Sequence, residues 1–409
     1  MQVKTTRYNI YSYLRQTGEI VCGAVNDDGY AWSFEPFHPF FAMPEVEMFI
    51  LSITEQCNLR CSYCCYSGEY KNNRTHGVRS MSPADIDEVY TFIQHVIRKR
   101  PVQIVFYGGE PLLQYERIKY AVEKALYLWP QDVSFSLSTN ATLLSKEKAD
   151  WLITHHVKLA ISIDGTALFH DRYRIDEVGK GSFSRVYDAL SYIVCNYPEY
   201  VSNIQLLMTL PSIEQLEALA EDWNEDIILH KLSPSQIVGL APNFAKVVKT
   251  YNWDKLRDQY LYLLDIYERH QDWLVLKAFF NGCIAYWKDR PIVEVDSSVP
   301  MATCMPVNTK LYIDTNKQIA VCEKISDQYR IGNIKNGINW HKANELALQY
   351  YNKRVCRCTY CPAIRMCDLC LTAIEFNDEQ WDVLCHNERV YARLYMLLFC
   401  EMAERGLMI

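Results

Sequence analysis

An α/β architecture, a parallel sheet or barrel followed by a smaller cysteine-rich region, is specified by these 409 residues on three observations. Short apolar runs alternate with stretches of helical period from residue 48 to 235. Polar and glycine-containing residues sit at the C-terminal ends of those runs, the rim where βα barrels place their active sites. The thiols are clustered: of sixteen cysteines, three stand at 57, 61 and 64, and nine lie between 283 and 385.

The elements follow in order. Residues 1–47 form a β-rich lead-in, with hairpin signals at 26–29 and aromatics after the turn. MFILSIT (48–54) is a buried strand that runs into the cysteine loop. Ser82 and Pro83 open a helix, with apolar residues recurring from Ile86 to Ile97. VQIVFYGGE (102–110), VSFSLSTN (133–140), VKLAISIDG (157–165) and NIQLLMTL (203–210) are further strands, with helices after Ser145 and around 182–195. A parallel core over 48–235, an aromatic helical connector over 236–290 and a cysteine-rich region over 291–409 result. In the last region LYIDTNKQIAVC (311–322) reads as a hairpin around Thr315, Asn316 and Lys317. Elsewhere it has too little regular apolar pattern to pack alone, so bound clusters are expected to hold it together.

The formal charge of −7 and pI near 5.9 argue against nucleic-acid binding, which needs a basic face. No apolar run approaches the roughly 18 residues of a membrane span. The first residues carry no apolar signal core, so a cytoplasmic location is expected. In that reducing compartment sixteen cysteines point to metal or iron–sulfur ligation, not disulfides.

TEQCNLRCSYCCY (54–66) offers Cys57, Cys61 and Cys64, with three and then two residues between them. A cubane 4Fe–4S cluster takes four thiolates, so this loop would leave one iron open for a ligand. Zinc held with Cys65 as fourth ligand is the alternative, but adjacent Cys64 and Cys65 suit one tetrahedral ion poorly.

CNLRCSYC resembles the three-cysteine signature of the radical S-adenosylmethionine (SAM) enzymes, including the aromatic Tyr63 before the third cysteine. The resemblance implies a partial (β/α)6 TIM barrel whose cluster binds SAM at the open iron and cleaves it to a radical that abstracts a substrate hydrogen. YGGEP (107–111) matches the family's GGE motif, with Gly108, Gly109 and Glu110 facing the SAM amino group. Ser138, Asn140, Ser162 and Asp164 resemble the ribose and methionine contacts, and Arg172 or Arg174 of HDRYR would meet the SAM carboxylate.

The later cysteines resemble the SPASM extension of radical SAM maturases, which carries two auxiliary 4Fe–4S clusters. Carried over, cluster I would use Cys304, Cys322 and Cys370, with Cys283 as fourth ligand. Cluster II would use Cys358, Cys361, Cys367 and Cys385, leaving Cys356 as a bystander or a replacement for Cys283. Three features depart from the family: Lys317 replaces a hairpin glycine, the last gap of the cysteine run is two residues, not three, and Cys283 lies far upstream. Two zinc ribbons are the competing reading of this region.

The resemblance implies a maturase that crosslinks a ribosomally made precursor peptide, through a thioether or a carbon–carbon or carbon–oxygen bond. Sulfatase maturation to formylglycine is the alternative, and a non-catalytic cluster scaffold is a third reading that the triplet with GGE argues against. Glu323 stands where sulfatase maturases carry an aspartate base. Implied partners are the leader-bearing peptide and an electron donor such as flavodoxin or ferredoxin. Leader binding is expected at an edge strand of the lead-in, by β-augmentation, or on a separate protein.

Overall fold

The computed structural model describes residues 1–26, 30–39, 46–70, 73–96, 101–239, 249–295, 297–298, 310–374 and 376–407. Strands β1 (Gln2–Lys4), β2 (Ile10–Tyr13) and β3 (Ile20–Cys22) make an antiparallel sheet in that order. β4 (Ser33–Phe34) does not close a hairpin on β3, as the turn signals led one to expect; it pairs in parallel with β11 (Ser297–Ser298). The aromatic residues around β4 are drawn instead to the cysteine-rich region, where Trp32 packs on Cys358. Residues 27–29 of the expected turn lie outside the described residues.

Six parallel strands follow in sequential order: β5 (Met48–Thr54), β6 (Val102–Gly108), β7 (Val133–Thr139), β8 (Val157–Ser162), β9 (Ile204–Thr209) and β10 (Pro234–Val238). Sequential order is that of a barrel wall, and among the described residues no strand pairs with the far edge of β10. The helices between them are α1 (Pro83–Val96), α2 (Tyr115–Leu128), α3 (Lys146–Thr154), the one-turn α4 (Ala167–His170), α5 (Phe183–Asn196) and α6 (Leu216–Glu225). At α1, Ser82 Oγ accepts from Asp85 N at 3.2 Å, and Asp85 returns bonds to Ser82 N and Oγ. The connector is two helices, α7 (Trp253–Arg269) and α8 (Leu274–Lys288), split by a turn at 270–273.

The expected hairpin forms as β12 (Lys310–Ile313) and β13 (Gln318–Ala320), with Lys317 in the left-handed region at φ 61°. β14 (Arg330–Asn333) and β15 (Gly337–Ile338) continue it. β12 also pairs in parallel with β5, Lys310 opposite Met48 and Ile313 opposite Leu51, so one ten-stranded sheet runs from β10 to β15. The C-terminal region is richer in regular structure than its sequence suggested. It contains α9 (Trp340–Cys358) and the 28-residue α10 (Asp378–Arg405), which starts in an Asn377–Gln380 capping box and ends at left-handed Gly406. α10 buries Trp381, Leu384, Leu394 and Leu398 in the main core and packs on α7, α8 and β1.

Candidate active site at the barrel rim

The loop after β5 carries Cys57, Cys61 and Cys64. Two of these thiols accept an N–H from two residues downstream: Cys57 Sγ from Leu59 N and Cys64 Sγ from Tyr66 N, both at 3.4 Å. Asn140 Nδ2 lies 3.8 Å from Cys57 Sγ, and His76 Nε2 lies 3.5 Å from Cys64 Sγ. Burial pushes Cys57 up to about 12 and Cys61 to about 11, with nearby Arg174 opposing it at Cys61, and the hydrogen bond with Cys65, followed by burial, pushes Cys64 up to about 12. Such thiols ionise only when something positive takes the proton's place.

The two glycines have a steric reason. Gly109 N donates to Thr54 O at 2.9 Å, and Glu110 N donates to Gln56 O at 2.7 Å. These bonds stitch the end of β6 onto the cysteine loop. A Cβ at Gly108 would lie 2.1 Å from Thr54 O, and one at Gly109 2.1 Å from Gln56 O. Both obstacles are backbone, so no side chain fits. The Glu110 carboxylate is fully buried and used inside the protein, accepting from Leu112 N, Thr139 Oγ1 and Asn140 N at 2.7–2.9 Å. What the motif leaves for a cosubstrate is the backbone of the turn.

Other expected contacts divide in the same way. Asp164 is buried and forms a two-pronged ion pair with Arg174, at 2.7 and 3.2 Å; it also accepts from Thr209 N and the Tyr63 hydroxyl. Arg174 is thereby drawn into the wall beside Cys61, while Arg172 is exposed. His170 is buried, accepts from Asp164 N at Nδ1 and faces Ser182 Oγ at Nε2; burial lowers it to about 4, so it is neutral. Asn140 binds Asn58 and Thr142 besides facing Cys57. Ser138 and Ser162 are half-buried near the C-terminal ends of β7 and β8.

Sequence reading missed Arg74. Its guanidinium lies 3.7 Å from the Tyr66 ring centre, donates from Nε to Glu323 O at 2.7 Å and from Nη2 to Gly108 O at 3.4 Å. Its own backbone N donates to Lys324 O at 3.0 Å. One side chain therefore ties the cysteine loop, the glycine turn and the end of the β12–β13 hairpin together. Just beyond that hairpin, Cys322 Sγ accepts from Lys324 N at 3.4 Å and lies 3.5 Å from Glu323 Oε2. Burial alone would raise the Glu323 carboxyl, but Lys310 at 3.5 Å and Lys324 outweigh it and hold the group below the ordinary carboxylate range.

Electrostatic proximity to Cys322 places Cys370, which is exposed, on the same side. Cys304 lies outside the described residues. Cys283 is buried on α8 among Tyr260, Tyr391 and Tyr395, with a hydrogen bond to Tyr395. Cys358, Cys361, Cys367 and Cys385 gather around Arg354, whose Nη1 donates to Cys367 Sγ at 2.9 Å. Cys367 also accepts from Leu369 N, repeating the bond from two residues downstream. Cys356 is exposed beside Arg357. Among the described residues no three His, Cys, Asp or Glu side chains are gathered tightly enough for one metal ion.

The donor chemistry fits iron–sulfur clusters: soft thiols, four of them set by N–H···S bonds, and backbone cradles free of side chains. Residues 51–222 match the Radical SAM superfamily. The chain is 30% identical over 149 residues to the cysteine-type anaerobic sulfatase-maturating enzyme of Clostridium novyi, covering 35% of this chain and 39% of that protein. It is 22% identical over 384 residues to the radical SAM cyclopropyl synthase TigE of Paramaledivibacter caminithermalis, covering 88% and 75%. Its fold matches the solved structure of native anSMEcpe with bound AdoMet and Cp18Cys peptide, at a TM-score of 0.62 and 18% identity, over 89% of this chain and 98% of that one. No helix among the described residues is long and apolar enough to cross a membrane. With the cysteine triplet and the glycine turn at one rim, residues 51–222 form a radical SAM domain, and the chain as a whole is similar to the anaerobic sulfatase-maturating enzymes, of whose Clostridium novyi member it spans about two fifths.

Proposed function

We propose that the protein matures a ribosomally synthesised precursor peptide by installing an oxidative crosslink, a thioether or a carbon–carbon or carbon–oxygen bond. Cys57, Cys61 and Cys64 would hold the SAM-binding cluster, with the Gly108–Gly109 backbone, Ser138, Asn140 and Ser162 toward SAM. Cys322, Cys370 and Cys304 would hold auxiliary cluster I, and Cys358, Cys361, Cys367 and Cys385 cluster II. Cys283, enclosed by tyrosines, is left out, so cluster I would keep a corner for a substrate group. When bound, these groups supply hydrogen-atom abstraction and a sink for the electron left behind.

The observation that carries this reading is Glu323. Its carboxylate is held ionised by Lys310, touches Cys322, and is joined through its carbonyl and Arg74 to the SAM-side turn. A base in that place can take the proton of a peptide group as its electron leaves. β10 is the last strand of the sheet on that side among the described residues, and an extended peptide would reach the rim past it. Sulfatase maturation stays the second reading, favoured by the likeness to sulfatase-maturating enzymes.

The test is anaerobic incubation of the reconstituted enzyme with SAM, a reductant such as reduced flavodoxin, and either peptides encoded beside its gene or a sulfatase-derived peptide. Loss of two hydrogens in a gene-neighbour peptide, with tandem spectra showing two residues joined, supports the crosslink. A hydrazide-reactive aldehyde in the sulfatase peptide alone would replace it with formylglycine formation.

A further inference from the structure

Residues 30–37 of the lead-in pack onto the cysteine-rich region. Trp32, Cys358 and Ile364, each under a tenth exposed, form a closed apolar cluster with Tyr30, Phe34, Val295 and Cys361 around them. The segment is fastened there. Trp32 N donates to Thr359 O at 2.8 Å, Tyr30 OH to Val295 O at 3.1 Å and Tyr351 OH to Glu35 O at 2.5 Å. Arg15 Nη1 reaches Tyr360 O at 3.0 Å. The Trp32 and Tyr30 rings meet edge to face at 5.3 Å. Trp32 is 4% exposed, and its indole Nε1–H has no hydrogen-bond partner among the described residues. A buried donor left unpaired costs about 1–3 kcal/mol, so one beside two thiols asks for an acceptor.

We propose that Trp32 is the wall of auxiliary cluster II and that its indole N–H donates to a sulfur of that cluster. This rests on the assignment of Cys358, Cys361, Cys367 and Cys385 to a cluster. A hydrogen bond to sulfur stabilises the more negative, reduced state, and exclusion of water protects the irons. Trp32 is thus a positioning residue that sets how readily the cluster accepts an electron. The N-terminal segment is part of the redox apparatus.

The test uses the full-length, anaerobically reconstituted holoenzyme. Cys358→Ala identifies the cluster: about four irons per chain and one reduced-state EPR signal should disappear. If iron and all signals survive, the cluster assignment fails, and the inference with it. Given that signal, Trp32→Phe should keep the iron and sulfide content and move that signal's midpoint potential to more negative values, leaving the others in place. Trp32→Ala should also speed bleaching by oxygen several-fold. An unchanged potential in Trp32→Phe with full iron would overturn the proposal. A second measurement needs no variant. Wild-type protein labelled with 15N in the indole should show nitrogen hyperfine coupling to the reduced cluster II, and absence of that coupling would sink the hydrogen bond.

Discussion

At Asp164 and Arg174 two charges are taken out of water and satisfied almost entirely by each other, Tyr63 and Thr209 N. Breaking such a pair leaves one buried charge alone, which costs about 3–5 kcal/mol. Arg174→Met should therefore lower stability by that amount in anaerobic denaturant titrations, whereas Arg172→Met, at an exposed side chain, should change it by less than about 0.5 kcal/mol. Glu323→Gln tests the proposed base from the other side. It keeps the side chain's shape and removes its charge, so SAM cleavage to 5′-deoxyadenosine should continue while crosslinked product falls about 100-fold or more. Equal loss of both would assign Glu323 to the fold. The three loop cysteines and the glycine pair could be picked out as candidates from spacing because loop geometry is local. Asp164 and Arg174 could be picked out as candidates but not as partners for each other, since nine residues, including the short helix α4, lie between them and only the fold turns one onto the other.

The glycine turn after β6 and the hairpin β12–β13 make predictions of their own. Gly109→Ala would drive a methyl into Gln56 O, so the cysteine loop must move; overpacking of this kind costs about 1–3 kcal/mol or more, and reconstituted iron at the SAM-binding site should fall. In the hairpin, Lys317 tolerates a left-handed backbone because its Nζ reaches Asp85 at 2.8 Å and Glu88 at 2.9 Å on α1. Burial would raise Asp85, but Lys317 and Ser82 hold it at about 2. A carboxylate lowered by folding contributes stability above its unfolded pKa of about 4 and loses it as pH falls toward 2. Lys317→Met should thus cost about 1 kcal/mol at pH 7 after solvent screening, and the deficit should shrink as urea titrations move below pH 4. Among the elements, β5 to β9 were readable as apolar runs bounded by turns. β10 escaped because its sequence, PSQIV, starts with proline and is polar, as an outer strand's can be. α9 and α10 escaped because their cysteines and charges obscured a helical period that is completed only by packing on other elements.

Across the molecule, Arg74 links Glu323 to the Gly108 turn and the Tyr66 ring, and nothing local in its sequence announces it. Arg74→Met should leave total iron near the wild-type value but loosen the Glu323 corner from the Gly108 turn. The expected result is several-fold more 5′-deoxyadenosine per crosslink formed, with partial recovery in Arg74→Lys, whose single ammonium can reach one carbonyl but not stack as a plane. An unchanged ratio would reduce Arg74 to packing. The parallel core and its rim were foreseen from periodicity and motif together. The joining of the C-terminal region to that core was not, because a strand pairing between residues 48–51 and 310–313 leaves no mark on either segment alone.

That pairing has a consequence for anyone who would reshuffle the protein. Because β12 hydrogen-bonds to residues 48–51 of β5, the cysteine-rich part is no detachable cassette. A cut at residue 290 would expose the edge of β5 on one fragment and that of β12 on the other, and bare strand edges invite aggregation. Chimeras meant to change what the enzyme acts on should therefore exchange loops at the rim, and keep the seam between these two strands from a single parent.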